Sequence, residues 1–396
     1  KNITGFIVPK DLENGITLGE EENKLGIKAS STRQVFFNET KVPVENMLAG
    51  RGDGFKIGMN ALNVGRIKLA AACLEAQRRV TTLAIQYATE RVQFKTPIAQ
   101  FGAIQQKLAT MATNTYVSES ASYRAAFDIE EKIAQLLEQG LSHQEAELKG
   151  VEEFAIECSI LKVSVSEKAQ DCTDEGIQIY GGMGFSADAP MEMAWRDARI
   201  ARIYEGTNEI NRMLCVGMLL KKGFKGEIDL MSAATKVGQE LMEGIPKTEL
   251  SNAFFAEEKS LLQNLKKAML MITGAAVQTF GPKFDKEQQI ILALSDILIE
   301  IYMIESAILR TEKNCERYGL DSQKNQIDMT QLYLFDAIEK INSKGKEAIV
   351  SFAEGAQMKG MIAGLKQYTK YQNYPNVVAL RRNIAATLIE ENKYPF

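Results

Sequence analysis

The segment around Glu205 carries the side chains best suited to acid–base chemistry. This carboxylate is followed by glycine and then by Thr207 and Asn208, two residue types that favour the amino-terminal cap of a helix. The spacing predicts a tight turn at a helix start, where a side chain can face a pocket and backbone N–H groups can face a ligand. A glutamate that only decorates a helix start has the same local sequence, so this segment alone leaves both interpretations open.

Other acid–base candidates are few. The chain has one histidine, His143, in a polar run expected to be a loop, which excludes a histidine-based triad and a histidine-rich metal site. The five cysteines are scattered without a CxxC pair or metal-ligand spacing, which favours buried, reduced thiols and predicts no metal site. Acid–base work must therefore fall to a carboxylate, a lysine or a tyrosine.

Three more segments could contact a ligand. In residues 178–185, three glycines after a helix allow close approach of the backbone to a ligand, or simply end the helix. In residues 90–98, Arg91 could bind a phosphate with its planar guanidinium or cap the helix carbonyls. In residues 62–66, Arg66 could bind a ligand or be an ordinary solvated arginine beside a packing glycine.

The elements that must position these segments are mainly helices. Alternating apolar residues and punctuating Gly and Pro predict β structure over residues 1–50. From about Gly52 the apolar spacing becomes i, i+3, i+4, i+7, which predicts a long first helix. Further helices are predicted at 102–138, 142–177 and 207–221. Long helices with short breaks favour an antiparallel bundle.

A second helical region is predicted beyond a linker at 223–251. Within it, the segment Leu294–Ala307 resembles Leu108–Ala121, since both end in Tyr-x-x-Glu-Ser-Ala. The second region is therefore either a degenerate copy of the first bundle or similar by chance, as two amphipathic helices can be.

Composition excludes several classes of protein. The 396 residues are 45% hydrophobic and 25% charged, as in soluble globular proteins with two or three domains. The net charge of −4 argues against a nucleic-acid-binding protein. No apolar run approaches the roughly 20 residues that span a bilayer. Lys1 is not a natural start, so we expect an upstream part of the protein.

Taken together, in their order and spacing, these segments resemble the acyl-CoA dehydrogenase family from residue 1 to about 223. Residues 24–28, 35–37, 42–43 and 52–55 match the exit of the family's middle β-domain. The Arg-x-x-Phe turn, the Gln-Ile-x-Gly-Gly-x-Gly turn and the Tyr-Glu-Gly-Thr-Asn-Glu-Ile segment then follow in the family's order. The additional helical region looks like the very-long-chain subgroup.

The resemblance implies a mainly α fold: an acyl-CoA dehydrogenase-type helical bundle preceded by the tail of a β-barrel-like domain and followed by a second helical domain. The implied domains are the truncated end of the middle β-domain, the four-helix bundle, a linker and the additional helical domain, at residues 1–50, 51–222, 223–251 and 252–396. The family's amino-terminal helical domain and the first half of its β-domain are not in this sequence. We therefore expect a carboxyl-terminal fragment that holds FAD weakly, or not at all, and is inactive alone.

The implied reaction is FAD-dependent oxidation of a long-chain acyl-CoA to the trans-2-enoyl-CoA in fatty-acid β-oxidation. By resemblance, Glu205 takes the α-proton while the β-hydrogen leaves as hydride to flavin N5. Some family members, including the branched-chain type, carry the base just before the arginine that matches Arg66. Here that position is Gly65, which cannot act as a base, so the straight-chain type is favoured.

The resemblance also implies the binding residues. The residues expected to contact FAD from the neighbouring subunit are Arg91, Phe94, Gln178, Gly181 and Gly182. Those expected to contact FAD within the same subunit are Thr207, Asn208 and Glu209. The substrate-binding residues are expected to be Asn63 and Arg66 at the pantetheine and CoA end, and Gly206 beside the thioester. Lys95 and Gly102 depart from the family's common Gly and Gln, which puts the detailed contacts to the adenine in doubt.

The implied partners are an acyl-CoA substrate, electron-transfer flavoprotein and a second copy in a homodimer. An acyl-CoA oxidase shares the implied fold and base, and an assembly or scaffold relative is the alternative from another class. A bacterial cytoplasm is favoured over the mitochondrial matrix. The lysines at 221, 222 and 225, with Leu219, Leu220, Phe224 and Met231, could bind a membrane surface weakly or form a solvated linker.

Overall fold

The computed structural model describes residues 3–11, 13–246 and 249–396. The predicted β-domain tail and linker therefore fall partly outside the described residues, at positions 1, 2, 12, 247 and 248. The first part of the chain holds two antiparallel pairs, β1 (Gly5–Phe6) with β4 (Met47–Leu48) and β2 (Ile16–Leu18) with β3 (Val35–Phe37). The β structure expected over residues 1–50 is thus limited to short strands whose side chains, Ile16 excepted, are not buried.

The bundle begins with two long helices, α1 (Gly54–Glu90) and α2 (Gly102–Glu138). A small hairpin, β5 (Val92–Gln93) and β6 (Thr96–Pro97), and a short 3-10 turn connect them. The bounds of α2 are those predicted.

The helix predicted at 142–177 is two helices, α3 (His143–Glu153) and α4 (Ala155–Tyr180), separated at Phe154. The expected loop around His143 is wrong, because Ser142 and Glu145 form a capping box that starts α3 there.

Helix α4 lies at the centre of the bundle and is buried along most of its length. It packs against α1, α2, α5 (Pro190–Arg199) and α6 (Asn208–Phe224). It ends in a 3-10 turn, Gly181–Phe185, whose first residue has φ +58° and ψ −135°. Only glycine adopts that backbone readily, so Gly181 is required for the chain to turn here.

The second helical region contains α7 (Leu230–Glu243), α8 (Ala256–Phe280), α9 (Gln288–Tyr318), α10 (Lys324–Val350), α11 (Gly355–Tyr368) and α12 (Val377–Glu391). Helix α7 occupies much of the segment predicted as a linker. It packs against α8, with Val237 buried and an ion pair between Glu240 and Lys267. The stretch predicted as a linker therefore contains a helix with one covered apolar face, and its role as a linker between domains stays a prediction.

The bundle and the second helical region share one continuous apolar core. Helix α2 packs against α9 through two reciprocal contacts. The Arg124 guanidinium lies 4.9 Å from the Tyr302 ring and bonds to Glu305, while Arg310 lies 4.4 Å from the Tyr116 ring and bonds to Glu119. Each arginine follows the tyrosine of its own helix at the same spacing. This symmetry fits the repeated Tyr-x-x-Glu-Ser-Ala motif, although a duplicated bundle stays a prediction.

All five cysteines are buried and free, as expected. Across the described ranges, no helix combines the length and the apolar character that crossing a membrane requires.

Candidate active site

Glu205 lies on a left-handed turn immediately before α6. Its φ is +58° and that of Gly206 is +82°. A left-handed conformation costs a non-glycine residue about 1–2 kcal/mol, so surrounding contacts must hold it. Thr207 then caps α6, its hydroxyl accepting a hydrogen bond from the Ile210 N–H at 3.3 Å. The turn predicted from the Glu-Gly-Thr sequence is confirmed.

Three side chains from three helices bind the carbonyl groups of this turn. Arg66 Nε of α1 donates to the Glu205 carbonyl at 3.3 Å. Lys162 Nζ of α4 donates to the Gly206 carbonyl at 2.7 Å. Asn211 Nδ2 of α6 donates to the same Gly206 carbonyl at 2.8 Å. The carbonyl face of the turn is therefore bound to the protein interior.

The Glu205 side chain lies over Gly65 of α1. A Cβ atom added at Gly65 would lie 2.7 Å from Glu205 Cδ and 2.9 Å from Oε1. The absence of a side chain at Gly65 thus permits the close approach of the carboxylate. The position where the resemblance places the base of some family members is directly beneath the Glu205 carboxylate.

A groove of about 400 Å³ runs along α1 towards α5, and its lining reaches the residue before Glu205. Tyr204, the residue before Glu205, and Leu69, one helical turn after Gly65, line it. Most of its other lining side chains are apolar, among them Cys73, Val80 and Met191. The groove can therefore hold a hydrocarbon chain, and the carboxylates in its lining are those of Glu75 and Asp197.

The other ionisable groups near Glu205 are poor bases or nucleophiles. Burial raises the pKa of the Cys73 thiol to about 11, and it also raises the pKa of Tyr204. Both groups are therefore neutral at ordinary pH. Burial, followed by repulsion from Arg66, lowers the pKa of Lys162 to about 8, but its ammonium is bound to the turn. Glu205 is thus the candidate base of this turn.

Asn63 and Arg66 lie beneath the turn and are both buried. Arg66 Nη1 donates to Asn63 Oδ1 at 3.0 Å, so each side chain has a protein partner. Their contact with the CoA end of a substrate stays a prediction. What the geometry adds is a role for Arg66 in holding the Glu205 carbonyl.

The three residues expected to contact FAD within the same subunit have different environments. Asn208 is buried, and its amide nitrogen donates to Glu167 Oε1 at 3.0 Å while its oxygen accepts from Lys162. Thr207 is used as the helix cap, and Glu209 is exposed. Because the polar atoms of Asn208 are all engaged with protein groups, Glu209 is the member of this set whose side chain is open to a ligand.

The Arg91 segment and the glycine turn meet at the other end of α4. The rings of Tyr87 and Tyr180 stack at 4.0 Å and join the end of α1 to the end of α4. Phe94 and Phe185 are each 88% exposed, and Arg91 and Gln178 are exposed beside them. Large exposed apolar side chains on one edge are typical of a binding surface.

Two sets of predicted residues are therefore separated within this chain. Lys162 and Tyr180 lie on the same helix, and at 1.5 Å per residue they are about 27 Å apart along its axis. The residues predicted to bind substrate and the FAD of the same subunit surround Glu205. Those predicted to bind the FAD of a neighbouring subunit lie at the far edge; they are Arg91, Phe94, Gln178, Gly181 and Gly182. This separation fits the expectation that the second group serves a neighbouring subunit.

The two departures from the family pattern lie at this edge as well. Lys95 is exposed and, like Phe94, has a positive φ. A Cβ added at Gly102 would meet nothing within 4 Å. Open space at both positions is compatible with a different set of contacts to the adenine.

Lys162 and Asn211 are the site residues that the sequence did not indicate. A usable signal was present for Lys162, which interrupts the otherwise apolar and small-residue run 159–165. A lysine within such a run is buried only when it has partners.

Comparison with known proteins identifies the family of the chain. Two family models, both described as the carboxyl-terminal domain of acyl-CoA dehydrogenases, match residues 52–219 and 264–367. A probable acyl-CoA dehydrogenase of Bacillus subtilis (strain 168) is 39% identical over 391 residues, covering 99% of this chain and 65% of that protein. The mitochondrial very long-chain specific acyl-CoA dehydrogenase of Mus musculus is 30% identical over 392 residues, covering 93% of this chain and 55% of that protein.

A crystal structure of an acyl-CoA dehydrogenase complexed with FAD from Bacillus anthracis has the same fold. It matches with a TM-score of 0.96 and 40% identity, over 99% of this chain and 66% of that one. The chain thus spans about two-thirds of the length of the Bacillus relatives. With both family models and a shared fold over almost its whole length, this chain belongs to the acyl-CoA dehydrogenase family.

Proposed function

We propose that this chain carries the catalytic base of an FAD-dependent acyl-CoA dehydrogenase, and that this base is Glu205. The observation that carries the proposal is the position of its carboxylate, over Gly65 and on the residue that follows Tyr204 of the mostly apolar groove. A thioester lying beside Tyr204 with its hydrocarbon chain in the groove would present its α-carbon to the carboxylate. The product would be the trans-2-enoyl-CoA.

The base acts by taking the α-proton onto a carboxylate oxygen. The proton becomes acidic only if negative charge on the thioester oxygen is stabilised, which requires a hydrogen-bond donor. Among the described residues, the Glu205 N–H has no protein acceptor, so it is available for that oxygen. We infer that Glu205 supplies both the base and one donor, with Gly206 beside the thioester.

FAD, when bound, accepts the β-hydrogen as hydride. The exposed edge at the end of α4 fits part of this cofactor. Added Cβ atoms at Gly181 and Gly182 would meet nothing within 4 Å, so the backbone there is open to close approach by a ligand. Arg91 would pair with the pyrophosphate, and Phe94 and Gln178 would contact the adenosine side. Glu209, with Thr207 and Asn208 behind it, would face the cofactor of the same subunit.

The very-long-chain type is the subgroup that we propose. The relative from mouse aligns across 93% of this chain, so the match extends into the second helical region. Long-chain acyl-CoA is accordingly the proposed substrate class, within fatty-acid β-oxidation. The proposed domains remain those at 1–50, 51–222, 223–251 and 252–396, with α7 inside the third.

The proposed partners are electron-transfer flavoprotein and a second copy of the chain, in a bacterial cytoplasm. Weak binding to a membrane surface is proposed only for the exposed Phe224 and Met231, because Leu220 is buried.

The test is an anaerobic titration of the FAD-loaded, full-length protein with palmitoyl-CoA, followed by the flavin absorbance. We expect bleaching with the wild type and none with Glu205→Gln, which has the same shape but cannot accept the proton. A flavin band that ignores every acyl-CoA would instead favour an assembly or scaffold protein. Rapid peroxide release in air would favour an acyl-CoA oxidase.

A further inference from the structure

Lys162, in the middle of α4, is a charged side chain with an exposure of 0%. Its ammonium donates to the Gly206 carbonyl and to Asn208 Oδ1, both at 2.7 Å. A buried ammonium is tolerated only when acceptors replace its lost water. Its two acceptors stand on either side of Thr207, so this lysine binds the short segment that joins Glu205 to α6.

The charge of Lys162 is not explained by packing. Burial and repulsion from Arg66 lower its pKa to about 8, so the surroundings disfavour the charged form. Apolar side chains of similar volume often replace a whole buried ion pair without loss of stability, so filling the core does not by itself require a charge. The buried ammonium is therefore best explained by the groups that it holds.

What it holds is the strained part of the candidate active site. Glu205 has a positive φ, a conformation that persists only when surrounding contacts over-determine it. Arg66 and Asn211 also bind the turn, from α1 and α6. Among the described residues of α4, the helix at the centre of the bundle, Lys162 is the one whose side chain binds a carbonyl of the turn itself.

We propose that Lys162 is a positioning residue, whose ammonium holds the Glu205–Gly206 turn so that the Glu205 carboxylate stays above Gly65. This inference rests on the proposed role of Glu205 as the base. Lys162 acts through the turn and takes no part in proton transfer itself.

Hydrogen–deuterium exchange of the segment 203–212 tests the proposal without any turnover. In Lys162→Met, which keeps the length but not the charge, exchange of this segment should be about tenfold faster, as expected for losing hydrogen bonds from a charged donor. Lys168→Met is the matched control: Lys168 is also a buried lysine of α4, but it lies 5.0 Å from the Tyr333 ring and away from the turn. It should leave exchange of the segment unchanged. If Lys162→Met does not fold, Lys162→Gln, which removes the charge but keeps an amide donor, is used in the same comparison.

Wild-type exchange of the segment in the folded Lys162 variant would overturn the proposal, and so would equal acceleration in Lys168→Met. In the FAD-loaded, full-length protein, kcat of Lys162→Met should fall about 10²-fold with KM little changed, because only the placement of the base is altered. An unchanged kcat would also overturn it. If the wild type itself fails to oxidise acyl-CoA, the proposed function fails, and the exchange comparison still decides whether Lys162 holds the turn.

Discussion

The contact between Gly65 and Glu205 predicts that Gly65→Ala lowers the activity without lowering the stability. An added Cβ would lie 2.7 Å from Glu205 Cδ, whereas carbon atoms in contact are about 3.5–4.0 Å apart. The carboxylate must therefore retreat by about 1 Å, and it can do so because it is the free end of a flexible side chain. A displacement of that size at a reacting group can cost about 10²-fold in rate.

The same substitution should not weaken the fold. Replacing glycine by alanine inside a helix is worth about 0.5–1 kcal/mol, because alanine loses less backbone entropy on folding. Gly58, on the same helix, is the matched control, since a Cβ there would meet nothing within 4 Å. Gly58→Ala should be more stable than the wild type and fully active.

Two measurements check this prediction. Urea unfolding gives the free energy of unfolding, and anaerobic flavin bleaching with palmitoyl-CoA in the full-length protein gives the rate of the chemical step. We expect Gly65→Ala to be at least as stable as the wild type and about 10²-fold slower. Wild-type rates in Gly65→Ala would show that the carboxylate can act from another position, and the reasoning would be refuted.

Three further predictions concern charged groups. The pKa of Lys162 is about 8, below its usual 10.5, so the unfolded chain binds more protons between these values, and stability should rise as pH increases through this window. Unfolding at pH 7.5 and pH 10 should show a rise of up to about 3 kcal/mol in the wild type that Lys162→Met lacks. Burial raises the pKa of Glu300, but Lys168 and Lys340 outweigh it and lower the pKa to about 2. The stability that Glu300 contributes should therefore be lost as pH falls from about 4.5 towards 2. Acid titration of the circular dichroism signal should show a smaller loss of stability in Glu300→Gln than in the wild type. Arg124→Met and Arg310→Met should each lower the free energy of unfolding in urea by about 1 kcal/mol, because their contacts are reciprocal. A loss in only one of the two would contradict that symmetry.

Much of the helical fold could be predicted from the sequence, because apolar spacing and breaking residues are local signals. The bounds of α2 were predicted correctly for this reason. The break at Phe154 was not, because no glycine or proline stands at it. Helix α7 was missed because glycine and lysine residues on both sides made a short amphipathic segment look like a linker.

In the candidate site too, features encoded by neighbouring residues could be predicted, and contacts between residues distant in sequence could not. The turn at Glu205 could be predicted, because Glu-Gly-Thr specifies a left-handed turn and a helix cap within three residues. The donors that hold it could not, since Arg66 and Lys162 are 139 and 44 residues away from the carbonyls they bind. Asn208 shows the limit of motif transfer, because its position in the motif indicates a ligand contact while its side chain is buried among protein partners.

The contacts of Arg212 connect the second helical region to this turn. Its guanidinium binds both carboxylate oxygens of Glu167, at 2.7 and 2.8 Å, and Asp296 of α9 at 2.9 Å. Burial lowers the pKa of Arg212, but Glu167 and Asp296 outweigh it and raise the pKa. Glu167 in turn accepts from Asn208, whose oxygen binds Lys162 beneath the turn. The path from α9 to the turn is therefore an unbroken series of hydrogen bonds between side chains that are mostly buried. Without the second helical region, Arg212 would lose Asp296 and both it and Glu167 would be exposed to water, where such a pair contributes much less. The second helical region is thus part of the framework on which the candidate base rests.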